Sequence, residues 1–186
     1  MSKISKYSDN QLVEMMKGRK VDADSAFTEI YNRYSRRIYT FCVCMLHDKD
    51  EASDVFQDAF IRFYKTISKD FRCVNLSAYL YSIARNLCLN SLKKKNLIIT
   101  DNNFSELVYD DISYENKELF NLVLTSIDLL EEKYREPLIL RELEGLPYNE
   151  IAEICGLTVI NAKTRVIRAK EKVIHILEPY LNDFCK

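Results

Sequence analysis

Glycine and proline are scarce in this chain, three of each in 186 residues, and between Gly18 and Pro137 there is neither. A hairpin-rich sheet protein needs these residues at its turns, so that architecture is excluded and an all-α fold is expected. No apolar run approaches the roughly eighteen residues of a membrane span, and the opening MSKISKYSDNQ holds no apolar segment of signal-peptide type. These absences favour a cytoplasmic location. Six cysteines are scattered without a CxxC pair, and only His47 and His175 could join them at a metal. They read as reduced thiols, most of them small buried hydrophobes, with no metal site. There is also no HExxH, no phosphate-cradling Gly-rich loop, no carboxylate cluster suited to two metals and no Cys-His nucleophile pairing. No catalytic residue, cofactor or small-molecule substrate is therefore expected.

What is present belongs to a globular protein, with 47% hydrophobic and 30% charged residues. The formal net charge of −1 argues against a protein that simply coats nucleic acid. The distribution of charge says more than the sum. From Phe71 to Thr100 there is no Asp or Glu, while Arg72, Arg85, Lys93, Lys94 and Lys95 are present. Asp101 to Glu118 is acidic, with Lys117 its one cation, and Lys163 to Lys172 is basic again, with Glu171 its one acid. Two basic segments are thus separated by an acidic one.

Asp9 is placed to cap a short helix through Met16, ended by Gly18. Phe27, Ile30, Tyr31, Tyr34, Ile38, Phe41, Cys42 and Met45 recur at spacings of three and four, a core stripe on a helix of about 23 residues. Asp48 or Asp50 can cap a third helix, with Ala52, Val55, Phe56, Ala59, Phe60 and Phe63 inward. A fourth starts near Asn75 or Ser77 and runs to the lysines. The expected organisation is an N-terminal helical domain over 9–96, a flexible acidic linker over 97–118, and a C-terminal domain over 119–183.

In the C-terminal part, residues 150–171 read EIAEICGLTVINAKTRVIRAKE. Pro147 suits the first turn of a helix, and Glu150 and Glu153 favour its amino end. Gly156 can take the positive φ of a tight turn, Leu157 re-enters the core, and Thr158 can cap the next helix. On that helix Ala162, Val166, Ala169 and Val173 share one face, with Thr164, Arg168, Asn161 and Lys163 pointing away. This is the pattern of a helix-turn-helix, whose second helix enters the major groove. A solvated charged face would give the same pattern. The acid-free segment adds Phe71, Tyr79 and Tyr81 among its cations; rings beside cations suit unstacked bases, and equally suit an ordinary half-buried core.

In order along the chain, SAFTEIYNRYSRRIYTFC, EASDVFQDAFIRFYKTI, AYLYSIARNLCLNSLKKK and REPLILRELEGLPYNEIAEICGLTVINAKTRVIRAK resemble the extracytoplasmic-function sigma factors of bacterial RNA polymerase, in the sigma-70 family. The resemblance implies an alternative sigma factor that binds core polymerase and directs promoter recognition and melting. Asp54, Gln57 and Asp58 then match the signature that docks on the beta-prime coiled coil, the beta flap being a second polymerase contact. The loop Asp70 to Asn75 and the following helix match the part that captures and melts the minus-ten element, through Arg72, Asn75, Tyr79, Arg85, Asn86 and Lys93. Asn161, Lys163, Thr164, Arg165 and Arg168 match the reader of the minus-thirty-five element. An anti-sigma factor is the implied inhibitor.

The chain departs from the family pattern at several points. Tyr79 stands where the family has Trp, Asn90 where it has Asp, lysines follow instead of arginines, and Leu130-Glu131 replaces a Leu-Pro. Asn161-Ala162 replaces a Thr-Val pair on the recognition helix. Three rival readings are a helix-turn-helix regulator with a helical sensing domain, an enzyme acting on nucleic acid, and a helical adaptor without DNA contact.

Overall fold

The computed structural model describes residues 3–67, 71–72, 75–95 and 122–184. The acidic linker expected over 97–118 lies outside them. The described residues are helical, with no strand among them, and the chain divides into two compact units, Met1–Thr100 and Asp101–Lys186.

The first unit begins with a single 3-10 turn, Lys3–Lys6, then α1 (Asp9–Met16), α2 (Lys20–Leu46), α3 (Lys49–Thr66) and α4 (Leu76–Lys95). Helix α2 packs against α1, α3 and α4, and α3 also packs on α4. Its stripe supplies Ile30, Ile38, Phe41, Cys42 and Met45, all essentially removed from solvent, against Phe63 of α3 and Leu80, Tyr81 and Ala84 of α4. Fully burying side chains of this size contributes about 1.5–3 kcal/mol each, which is what holds four helices of otherwise polar surface together. Helix α2 ends at His47, whose left-handed φ of 56° lets its N–H reach the Val43 carbonyl at 2.9 Å. Asp48 then caps α3 by accepting from the backbone of Asp50 and Glu51. Cys42, Cys44, Cys88 and Cys155 are buried.

Two expectations are corrected here. Ser8, not Asp9, caps α1, in a reciprocal pair with Gln11 that satisfies two orphan N–H groups. Asp9 instead accepts from Arg33 at 2.9 Å and from the Tyr34 hydroxyl, while Arg33 also binds Glu29 and the carbonyls of Ser5 and Tyr7. That network ties the N-terminal segment to α2. Burial, with Asp9 as acceptor adding to it, pushes the Tyr34 phenol above its ordinary range. Second, the stripe on α2 is not all core: Tyr31 is 39% exposed and Phe27 half-buried, because the aromatic side chains of α3 cover only one side of them. Of the two readings open for Tyr81, the core one holds: it has no solvent exposure and its ring is edge-on to Phe41.

The second unit contains α5 (residues 122–128), α6 (Glu132–Glu142), α7 (Tyr148–Cys155) and α8 (Val159–Phe184). Helix α8 packs on both α6 and α7, and α6 on α7. Arg135 of α6 reaches back to the carbonyls of Asp128 and Leu130 at 2.7 and 3.0 Å, closing the carboxyl end of α5. Burial raises the Asp128 carboxyl to about 7 against the opposing pull of the Arg135 guanidinium.

Candidate nucleic-acid interface

Helices α7 and α8 are joined by a turn whose geometry follows from one residue. Gly156 has φ +65°, with its N–H directed at the Glu153 and Ala152 carbonyls and the Leu157 N–H bonded to Ala152 at 2.8 Å. No atom would meet a Cβ there, so the glycine is required by its backbone angle and not by crowding. Thr158 caps α8 by accepting from the Asn161 N–H at 3.2 Å. Pro147 sits one position earlier than expected, as the N-cap of α7, with extended backbone. Ala152 lies buried on α7, and Ala162, Val166 and Ala169 line the fully buried face of α8. Small residues there allow the two helices to approach closely, the arrangement of a helix-turn-helix. Leu157 is half-buried.

The basic stretch of α8 divides by geometry. Lys170 binds Glu142 of α6 at 2.9 Å, and Lys172 lies 3.9 Å from Glu131 and over the Tyr134 ring. These two cations are turned back onto their own unit. Lys163, Arg165 and Arg168 carry no ion pair among the described residues. Asn161, Lys163, Thr164 and Arg168 are exposed on the side of α8 away from its packed face, and Arg165 is half-buried at its margin.

In the first unit, the acid-free segment places its residues differently from one another. At about 100° per residue, Tyr79, Asn86 and Lys93 fall in line along the outward side of α4; Asn86 and Lys93 are exposed and Tyr79 half-buried. The Tyr79 ring packs against Phe71 at 5.2 Å and Phe63 at 6.4 Å. Arg85 is half-buried, turned roughly a quarter-circle from that line, and has an interaction within the protein. Asn75 caps α4 through the Ala78 N–H at 3.0 Å. Arg72 is exposed, and residues 70, 73 and 74 of the same loop lie outside the described residues.

Asp54, Gln57 and Asp58 are all exposed and share one face of α3 with Ile61 and Lys65. Beside Gln57 the structure opens a feature that the sequence pattern hid: an apolar cleft of about 530 Å³ between α2 and α3, lined by Phe27, Tyr31, Phe60, Ile61 and Tyr64. The rings make a continuous set, Phe27 against Tyr64 at 5.2 Å and Tyr31 against Phe60 at 5.0 Å. Its signal in the sequence was the excess of aromatic residues on both helices over what one seam can bury.

No helix among the described residues is long and apolar enough to cross a membrane, and no group of metal-ligating side chains is found among them.

Two family patterns match, Sigma-70 region 2 over residues 30–98 and Sigma-70 region 4 over residues 120–173. The chain is 34% identical over 167 residues to the ECF RNA polymerase sigma factor SigW of Bacillus subtilis, covering 82% of this chain and 89% of that one. It is 30% identical to the ECF RNA polymerase sigma-E factor of Escherichia coli over 94% of this chain and 96% of the other. Among solved structures, the sigma factor RpoE of Bartonella quintana, crystallised with the anti-sigma factor NepR, superposes with a TM-score of 0.72 at 21% identity. That match covers 82% of this chain and 96% of that one, and it bears on the fold. With both sigma-70 regions present in order, in two helical units whose second holds a helix-turn-helix, the chain belongs to the extracytoplasmic-function group of the sigma-70 family and is an alternative sigma factor, a transcription initiation factor.

Proposed function

We propose that this sigma factor works by position, performing no bond chemistry of its own, in the cytoplasm, with core RNA polymerase and promoter DNA as its partners. The face of α3 carrying Asp54, Gln57 and Asp58 docks on the beta-prime coiled coil, where exposed carboxylates suit a basic surface. The beta flap is the contact of the second unit. Tyr79, Asn86 and Lys93 on α4, with Arg72, Asn75 and Arg85, hold the minus-ten element, where unstacked bases return about 1–3 kcal/mol each against the cost of opening the duplex. Asn161, Lys163, Thr164, Arg165 and Arg168 on α8 meet the minus-thirty-five element. An anti-sigma factor that covers one or both faces is the proposed control.

One observation carries this reading most directly: α8 leaves Lys163 and Arg168 exposed and without an ion pair on its outer side, while Lys170 pairs with Glu142 and Lys172 lies over the Tyr134 ring of α6.

Purified core polymerase, with and without this chain, is the direct assay, using run-off transcription from genomic fragments. Specific initiation is expected only when the chain is added. Arg168→Ala is expected to weaken promoter binding by the holoenzyme about tenfold or more without changing affinity for core, and Asp58→Arg to weaken core binding. An Asp58→Arg protein that still displaces a competing sigma factor normally would remove the docking role from α3.

A further inference from the structure

The side of α8 lying opposite its packed face is apolar at its centre. Advancing about 100° per residue from the buried Ala162, Val166 and Ala169, the direction diametrically away from the core is shared by Ile160, Thr164 and Ile167. Ile160 is 78% exposed and Ile167 45%. Thr164 donates its hydroxyl to the Ile160 carbonyl at 2.9 Å, so the hydrogen it could offer an outside acceptor is already committed and its methyl remains. Cations flank this ridge, Lys163 on one side and Arg168 on the other. The ridge has an end: Glu171 occupies the same outward direction one turn beyond Ile167, and an anion there opposes approach of a phosphate chain.

Single exposed apolar residues are common and need no explanation. Here the arrangement is ordered, with methyl groups along the crest, cations on the flanks and Ile160 in the amino-terminal turn, the part of a recognition helix that enters deepest into the major groove. Base edges in that groove offer one apolar group, the C5-methyl of thymine, while the flanking phosphates offer only negative charge. We propose that Ile160 is a specificity-determining residue that packs on the methyl group of a thymine in the upstream promoter element. The inference rests on the proposed role of α8 as the reader of that element. It adds an apolar selection to the polar and cationic contacts, and it assigns the selection to a residue that carries no polar side-chain atom.

Replacing thymine by deoxyuridine removes the methyl group and leaves base pairing intact, which makes the test direct. Promoter fragments recovered with the holoenzyme are prepared with each upstream-element thymine changed singly to deoxyuridine, and holoenzyme affinity is measured for the wild-type chain, Ile160→Ala, Arg168→Ala and Ile174→Ala. For wild type, one deoxyuridine position is expected to weaken binding about 3- to 10-fold, the range for burying one methyl group. Ile160→Ala is expected to lose a similar factor on the thymine promoter and to be insensitive to that same substitution, because the two changes delete one contact. Ile174, exposed farther along the helix, is expected to have no effect. Since Ile160 buries little, its variants fold, and circular dichroism of each confirms it.

The proposal is overturned if Ile160→Ala binds as wild type does, or if it is weakened equally on thymine and deoxyuridine promoters at every position. Should Arg168→Ala weaken binding while either of those results is obtained, α8 still reads DNA and only the assignment of Ile160 is wrong. If neither Arg168→Ala nor Ile160→Ala has any effect, the role of α8 fails and this inference with it.

Discussion

Single residues decide more here than the size of the helices suggests, and Asp128 shows how. Its carboxyl is raised from 3.8 to about 7 by burial, with Arg135 pulling the other way. Between about pH 4 and 7 the unfolded chain loses a proton that the folded second unit retains, so stability falls as pH rises through that window and levels off above it. Asp128→Asn is expected to remove this slope and to stabilise the second unit most at pH 7 and above. Urea unfolding followed by circular dichroism at pH 5, 6, 7 and 8 measures it; a wild-type stability that rises across the window contradicts the assignment. Arg135 belongs to the same corner. Losing its charged hydrogen bonds to the carbonyls of Asp128 and Leu130 in Arg135→Ala should cost about 1.5–3 kcal/mol in the same experiment.

Residue-level chemistry also marks where the sequence could and could not be read. The cap at Thr158 follows from residue type and position, whereas the sequence leaves Asp48 or Asp50, and Asn75 or Ser77, open, and the structure selects Asp48 and Asn75. Ser8 and Asp9 are adjacent and both suit a cap; Gln11, three residues after Ser8, completes a capping box with Ser8, while the distant Arg33 and Tyr34 claim Asp9. The division of the α8 cations is in part legible, since Lys170 and Arg168 are two residues apart and at about 100° per residue fall on nearly opposite sides of the helix. The pairing of Lys170 with Glu142 of α6 is what the sequence does not show.

Among the elements, the turn between α7 and α8 controls what the outer face of α8 can do. Gly156→Val forces a β-branched residue into φ +65°, at a cost of about 1–2 kcal/mol, whereas Gly156→Asn should recover much of it. Ala162→Leu tests packing instead of backbone. A larger side chain at a site with no exposure must push α8 away from the helices it packs on, costing about 1–3 kcal/mol. Both Gly156→Val and Ala162→Leu are expected to reduce holoenzyme binding to promoter DNA more than binding to core, measured side by side. A variant destabilised to this extent with unchanged promoter affinity would show that the orientation of α8 is not what the DNA contact depends on.

Helix periodicity made α2 legible over most of its length, because Ile30, Ile38, Phe41 and Met45 face three packed neighbours. It failed at Phe27 and Tyr31, where the period continues but the covering layer does not. A sequence stripe records which side of a helix is apolar, and only packing shows how far along it the cover extends. Phe27 and Tyr31, which the period assigns to the core stripe, therefore line the cleft beside Gln57. For Tyr81, a ring among cations, the sequence leaves a base-stacking and a core role equally open, and only the packing against Phe41 decides for the core.

The whole molecule combines a formal charge of −1 with two separate basic surfaces, one in each unit. Bulk attraction to duplex is then weak, and each surface alone offers few phosphate contacts, so neither should hold promoter DNA by itself at moderate salt. Joining them on core polymerase makes the second contact effectively intramolecular, which can raise affinity by a factor of about 100 to 10,000 without any new contact. A self-sufficient helix-turn-helix regulator has no such dependence on a third component. Titrating one labelled promoter fragment, at fixed physiological salt, with this chain alone and with the chain bound to core polymerase separates the two directly. At least about 100-fold tighter binding by the holoenzyme is expected, and equal affinity of the chain alone would contradict the account.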